Sequence, residues 1–411
     1  MHVWHEHGDF ISSRHASACL ERFDHLASDS ANAEYATAPT NRSGGLEEIS
    51  SGDIPKESIK DKIRDLATSE THQSFTNTHI NRGHIFLFAN GATALSAVCR
   101  VVGSVKPPAH RWIAYGWQPG RTRDILLSNI SGDVEFCMDT NDYLCQLEQS
   151  LEAGQNLDAL FCTFPNILTL KCPDLWRIHN LAVKHRFIVI CDDSVANSVD
   201  VDLFPFVDIR VTSLTRTFSG TCNVAGGSVV VNPDSQYYEL ISTKLESMPD
   251  TLHPHDAMVL SRNCQNIEQR VSECNANARS VVKLLAGSHI VKRVNHPSCP
   301  DMKMLYDRHR REGGGYGHVL TVEFQRSHQA KLFYYALSIA KGPGYGTSFS
   351  ICLPPIIYEH REAQLLERYD IPAHLLLLSI GTGKKQVIKD AVKEALMKTI
   401  RPILLRYRWT F

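Results

Sequence analysis

"FIVICDDSVANSVDVDLFPFVDIRVTSLTRTFSG", Phe187 to Gly220, contains two apolar strands, each of which runs straight into polar residues. The first closes on Asp192 and Asp193, the second on Ser213, Thr215 and Arg216. A strand apolar at every position is buried on both faces, as in a parallel sheet covered by helices on each side. In open sheets of that kind ligands bind at the carboxyl ends of the strands. The same stretch therefore predicts the fold and nominates the candidate site. An acid leaving a buried strand is costly without a partner, so Asp192 is read as functional. Just beyond, Gly226 and Gly227 lead into another apolar run. Such a Ser/Thr-rich turn is where an α/β enzyme holds a phosphate and a catalytic amine. The cation in this turn is an arginine, Arg216.

Working outward, "HIFLFANGATALSAVCRVV" from His84 reads as a strand, a turn at Asn90-Gly91 and a helix. Gly91 and Ala92 open that helix, where free amides and the helix dipole favour an anion. "RWIAYGW", "LDALFCTF" and "GGSVVV" read as further strands, with helices such as "CPDLWRIHNLAVKH" between them. After Asn232 come long helical segments, then a smaller α/β unit with "HVLTVEF", "LLLLSIG" and the helix "KKQVIKDAVKEALMKTI". In that last helix Val387, Ile388, Ala391, Val392, Ala395 and Ile400 form an apolar stripe that faces the core. The first 80 or so residues read as irregular, and Ala36 to Ser58, rich in Ser, Gly and Pro, as a mobile loop. The expected division is an oligomerisation segment over 1–80, a large α/β domain over 81–275 and a small one over 276–411.

Composition narrows the class. The chain has 411 residues, 43% of them hydrophobic, enough for two or three domains. Its 43 basic and 44 acidic residues give a net charge of −1, so no global field draws nucleic acid or an anionic membrane. No apolar run approaches the ~20 residues of a membrane span. The N-terminal stretch lacks the basic-then-apolar order of a secretory signal, and a cytoplasmic location is expected. Twelve scattered cysteines without a CxxC pair suit reduced thiols. "HVWHEH" lacks a second ligand cluster, so no metal is expected.

In order, these elements resemble the cystathionine gamma-synthase-like enzymes, the Cys/Met-metabolism family that uses pyridoxal phosphate, especially its fungal members. "CDDSVANSVDVDLFPFVDIRVTSLTRTFSG" is similar to the family segment from the pyridine-binding aspartate to the lysine, and "AKGPGYGTSFS", "GGGYGHVLTVEF" and "HLLLLSIG" to its C-terminal signatures. The resemblance implies an aspartate-aminotransferase-type (fold type I) architecture and a homodimer or homotetramer with sites at subunit interfaces. It assigns Asp192 to the pyridine nitrogen, and Gly91, Ala92, Ser213 and Thr215 to the phosphate. It also implies departures. Arg216 stands where the Schiff-base lysine belongs. Phe23 and His25 stand where a Tyr and an Arg reach a neighbour's phosphate, and Pro119 where a tyrosine stacks on the ring. Ile167 stands for the asparagine near the phenolic oxygen, and Leu377 for the arginine that grips the substrate carboxylate.

Arginine stays protonated and its delocalised nitrogens are poor nucleophiles, so it forms no aldimine. It does bind carboxylate or phosphate through two parallel hydrogen bonds. Arg216 and Asp192 are thus the expected catalytic pair, with Ser213 and Tyr115 or Trp117 lining a pocket for a small-molecule substrate. The alternative is that they form a plain ion pair filling a vacated site. Three functions follow: a repurposed lyase, isomerase or cyclase of secondary metabolism without covalent pyridoxal phosphate; a family enzyme holding pyridoxal phosphate non-covalently or by another lysine; or a non-catalytic homologue supporting a partner subunit.

Overall fold

The computed structural model describes residues 12–28, 43–67, 79–105, 111–355 and 363–407, without the side chains of 21–28, 43–52, 363–365 and 401–407. Seven strands form the larger sheet: β1 (Ile85–Phe88), β2 (Arg111–Tyr115), β3 (Asp133–Cys137), β4 (Ala159–Thr163), β5 (Ile188–Asp192), β6 (Ile209–Ser213) and β7 (Gly227–Val231). Their order is β1-β7-β6-β5-β4-β2-β3. All neighbours run parallel except β7, which is antiparallel to both β1 and β6.

The apolar runs are explained by the two cores they feed. Along β4 and β5, Phe161, Ile188 and Ile190 join the core on one face, with Val98 and Val102 of the helix Gly91–Val105. Their neighbours Leu160, Cys162, Val189 and Cys191 join the core on the other face, with Ile178 and Leu181 of the helix Leu175–His185. A period of two, filled with apolar residues on both phases, leaves no face for water.

A second sheet of five strands has the order β10-β11-β12-β9-β8: β8 (Val291–Asn295), β9 (Val319–Phe324), β10 (Ala340–Lys341), β11 (Ile351–Leu353) and β12 (Leu376–Ser379). Helices Ile267–Ala286, Ser327–Ala336 and Lys385–Tyr407 cover it. The helix Ile267–Ala286 runs unbroken across the boundary expected at 275/276.

Two expectations are corrected. Much of the N-terminal region is helical, over Ser13–Ser28 and Ser43–Ala67, the second with Pro55 inside it. Ile59, Ile63 and Leu66 recur at helical spacing and pack against Ala257 and Leu260 of the helix Pro254–Asn263, so tertiary burial overrides a Ser/Gly/Pro-rich composition. In the final helix Ile388, Val392 and Ala395 are buried as expected, but Val387 is 64% exposed because it falls at the edge of the stripe. The "HVWHEH" stretch lies outside the described residues. Every cysteine is a free thiol, most of them buried. Among the described residues no helix is long and apolar enough to cross a membrane.

Buried histidines give the fold an acid limb. His296, His309 and His318 are each driven down to about 4, chiefly by burial. Both ring nitrogens of His318 lack hydrogen-bond partners among the described residues. A histidine whose folded value is depressed contributes stability above its unfolded value, and that stability is lost as pH falls from about 6.5 towards 4. Between about pH 7 and pH 5 the loss is on the order of 2 kcal/mol per histidine. Replacing His318 by leucine should therefore shrink the fall in unfolding free energy over that interval by about that amount, measured by denaturant titration. An identical pH dependence in the variant would show that His318 is already charged in the fold.

Candidate active site

The ends of five strands, β1, β2, β4, β5 and β6, converge on one side of the large sheet. The turn Leu214–Phe218 is a single π-helical turn directly after β6, and Arg216 breaks its helical path at φ −85° and ψ −125°. The helix Gly91–Val105 starts beside it because Gly227 lets the chain pass closely: a Cβ there would lie 2.3 Å from the Asn90 carbonyl oxygen. Gly91, Ala92, Asp192, Ser213, Thr215 and Arg216 all line one cavity of about 360 Å³. Pro119 and Ile167 are part of its wall as well.

Only one acid of the Asp192-Asp193 pair faces this space. Asp193 is turned inward, accepting from the Thr212 hydroxyl and lying 3.5 Å from Arg210 Nε, while the Arg210 guanidinium sits over the Phe204 ring. Asp192 accepts from the Ser194 backbone N–H at 2.8 Å. Burial pushes its carboxyl up to about 6, against the hydrogen bonds from Ser194 and the charge of Arg216. The alternative of a plain Arg216–Asp192 ion pair is not realised: among the described residues Arg216 makes no ion pair, and its guanidinium lies 4.7 Å from the centre of the Tyr345 ring. The two charges share a cavity without direct contact.

Two expected binding residues are placed elsewhere. Tyr115 has the same phase as Ile113 on β2, so it belongs to the opposite core; its hydroxyl donates to the Thr140 carbonyl at 3.2 Å. Trp117 is 1% exposed and packs with Leu168 and Leu377. Leu377 itself, in the middle of β12, is core and not cavity wall. Phe23 and His25 fall in a helix whose side chains at those positions are not described.

Sequence reasoning missed Arg121 and Tyr345, both in the wall. Arg121 lies one residue into the helix Gly120–Asn129, and its guanidinium is made less basic by burial and then by the charge of Arg216. Its closeness in sequence to Pro119 was the signal available. Tyr345 comes from the segment Lys341–Thr347 more than a hundred residues away, and burial makes its phenol harder to ionise.

The architecture and the cavity define a fold type I α/β protein of the pyridoxal-phosphate-dependent class. A model of the "Cys/Met metabolism PLP-dependent enzyme" family matches residues 81–397, and the chain belongs to that family. It is 34% identical over 404 residues to the "Cystathionine gamma-synthase-like protein ankD" of Aspergillus thermomutatus, covering 96% of this chain and 70% of that one. It is 34% identical to the cystathionine gamma-synthase of Neurospora crassa over 72% of this chain and 49% of the other, so it spans about half of that protein's length. Among solved structures, cystathionine gamma-synthase from Xanthomonas oryzae pv. oryzae, in complex with aminoacrylate and cysteine, superposes with a TM-score of 0.71 at 18% identity, over 85% of this chain and 87% of that one.

The lining fits pyridoxal phosphate in part. Asp192, Gly91 and Ser213 are in place. The Ala92 amide, however, already donates to the Asn90 side chain at 2.9 Å, and the Thr215 hydroxyl is engaged with the backbone of Gly226. No lysine is found among the described residues of the cavity wall.

Proposed function

We propose that this chain is a divergent Cys/Met-metabolism enzyme whose cavity takes an anion-bearing, largely apolar small molecule through Arg216 instead of anchoring pyridoxal phosphate as an aldimine. The reading rests on one observation: the only groups at the turn after β6 that line the cavity are Thr215 and a guanidinium that forms no ion pair among the described residues. An arginine so placed grips a carboxylate by two parallel N–H donors. Leu95, Ile125, Ile167 and Val195 supply the apolar remainder of the wall, and Tyr345 an aromatic face. Asp192, with its carboxyl at about 6, can hold or release a proton near neutrality. Arg216 would thus orient the ligand while Asp192 exchanges a proton with it, which suits a lyase, isomerase or cyclase of secondary metabolism. A homodimer or homotetramer in the cytoplasm goes with this reading.

The competing reading, a family enzyme with non-covalent pyridoxal phosphate, draws on Asp192, Gly91 and Ser213 sharing the same cavity. Assay of denatured, purified protein for released pyridoxal phosphate, which should find none on the first reading and about one per chain on the second, separates the two; the spectrum before and after borohydride tests for a covalent aldimine. We expect no visible aldimine band and no cofactor fixed to protein by reduction. A yellow protein from which borohydride yields a pyridoxyl-lysine would overturn the proposal.

A further inference from the structure

Apart from the central cavity, a second one of about 230 Å³ lies where the end of the large sheet meets β8 and the helix Pro300–Asp307. Asp139, just past the end of β3, faces into it with a side chain only 8% exposed. This carboxylate accepts from the Thr169 side chain, and its nearest cation, Lys171 Nζ, stands 3.9 Å away, beyond hydrogen-bond reach. Burial raises its pKa, against the charge of Lys171 and the hydrogen bonds from its own backbone N–H and from Thr169. The cations round the cavity are held only in long ion pairs, Lys171 with Asp139 itself and Arg293 with Glu323. Lys171 is half-exposed. Arg293 reaches Glu323 only at 3.8 Å, and Glu323 is already held by Lys292 at 2.7 Å. The other buried-side acid of the wall, Asp174, is taken up by Arg308 and by capping the helix Leu175–His185. The rest of the wall is mixed: Val294, Met302 and Leu305 are apolar, Asn141, Asn295 and Asp301 polar.

We propose that this cavity is a binding site for a small zwitterionic α-amino acid with an apolar side chain. Its ammonium group would meet Asp139, its carboxylate Lys171 and Arg293, and its side chain Met302 and Leu305. The ligand would bridge the two sheets, since Asp139 and Lys171 belong to the large-sheet side and Arg293 to β8. The site is separate from the central cavity, with the buried Trp117, Leu168 and Leu377 cluster packed near both, and it does not depend on the function proposed above.

Calorimetric titration of the full chain with L-leucine as probe tests this. Saturable binding at or below about 1 mM is expected. N-acetyl-L-leucine, lacking the cation, and L-leucinamide, lacking the carboxylate, should each bind at least about tenfold more weakly. Asp139→Asn should lose at least about tenfold in affinity, and the half-exposed Lys171→Met, which leaves the fold intact, about fivefold. In Arg216→Ala the binding that is sensitive to Asp139 and Lys171 should remain. No heat of binding up to about 10 mM leucine, or binding that survives Lys171→Met and vanishes in Arg216→Ala, would overturn the proposal.

Discussion

The Arg216→Lys protein is expected to bind pyridoxal phosphate only weakly and to stay nearly colourless, although the exchange supplies an amine capable of forming an aldimine. The amine is one element of a site, and several others are already spent. The first-turn amide of Ala92 is capped by Asn90, and the same Asn90 oxygen takes the Thr93 amide at 3.0 Å. The Thr215 hydroxyl closes the loop to Gly226. Pro119 offers no aromatic face. Arg121 and the new lysine would also sit close together as like charges, the environment that already lowers the basicity of Arg121. Titration followed by absorbance and by borohydride fixation measures the outcome. Tight, yellow, reducible binding would mean that the rest of the cofactor site is intact and that Arg216 alone blocks it. Arg216→Met gives the complementary result. A cation in a cavity without an ion-pair partner is held at a cost to stability, so its removal should leave the melting temperature unchanged or raise it. A fall of several degrees would make Arg216 a packing residue.

How far the sequence carried this reading can be judged from particular residues. The strands of the large sheet that are apolar on both phases were visible because a period of two leaves no ambiguity when every position is buried. β3 was not visible. Its "DVEFC" begins with an exposed Asp133 and sits at the sheet edge, so its pattern resembles a loop. The helix Ser43–Ala67 was hidden for another reason. Its apolar positions are few, and the core they enter is built from residues distant in sequence, among them Ile85 and Leu87 of β1 and Leu260 of the helix Pro254–Asn263.

At the site, residues from β1, β5 and β6 were placed together because strand ends in one sheet must converge. What failed was orientation. Tyr115 and Trp117 lie at the end of β2, but the strand's alternation sends Tyr115 to the far core and Trp117 is enclosed by residues from β9 and β12. Arg121 and Tyr345 face the cavity through contacts no local pattern encodes. The ion pair inferred between Asp192 and Arg216 was a statement about two charges in one pocket. The geometry instead turns the guanidinium towards Tyr345, and leaves the carboxyl with the backbone of Ser194.

That orientation is set from behind: Arg270→Met should destabilise the protein by about 3 kcal/mol or more. Arg270 is 8% exposed on the helix Ile267–Ala286. Its Nη2 donates at 2.8 Å to the carbonyls of both Thr217 and Phe218, while Nη1 donates to Asn266 Oδ1 at 2.9 Å. The chain makes room for it at Gly220, with φ +72°, where a Cβ would lie 2.3 Å from Arg270 Nε. On the other side the turn is held by Ser348, whose N–H donates to the Gly220 carbonyl at 2.6 Å. Methionine keeps the volume but strands two buried carbonyls, the costly kind of hydrogen-bond loss. Arg270→Lys separates charge from geometry. An ammonium group is a point charge and cannot reproduce the planar fork across two successive carbonyls, so about half of the loss should remain. Denaturant midpoints of the three proteins, with the slope checked for constancy, measure this. If both variants unfold with the wild-type midpoint, the π-helical turn holds itself, and the direction of Arg216 is set by Tyr345 and its own backbone instead of by the helix beneath it.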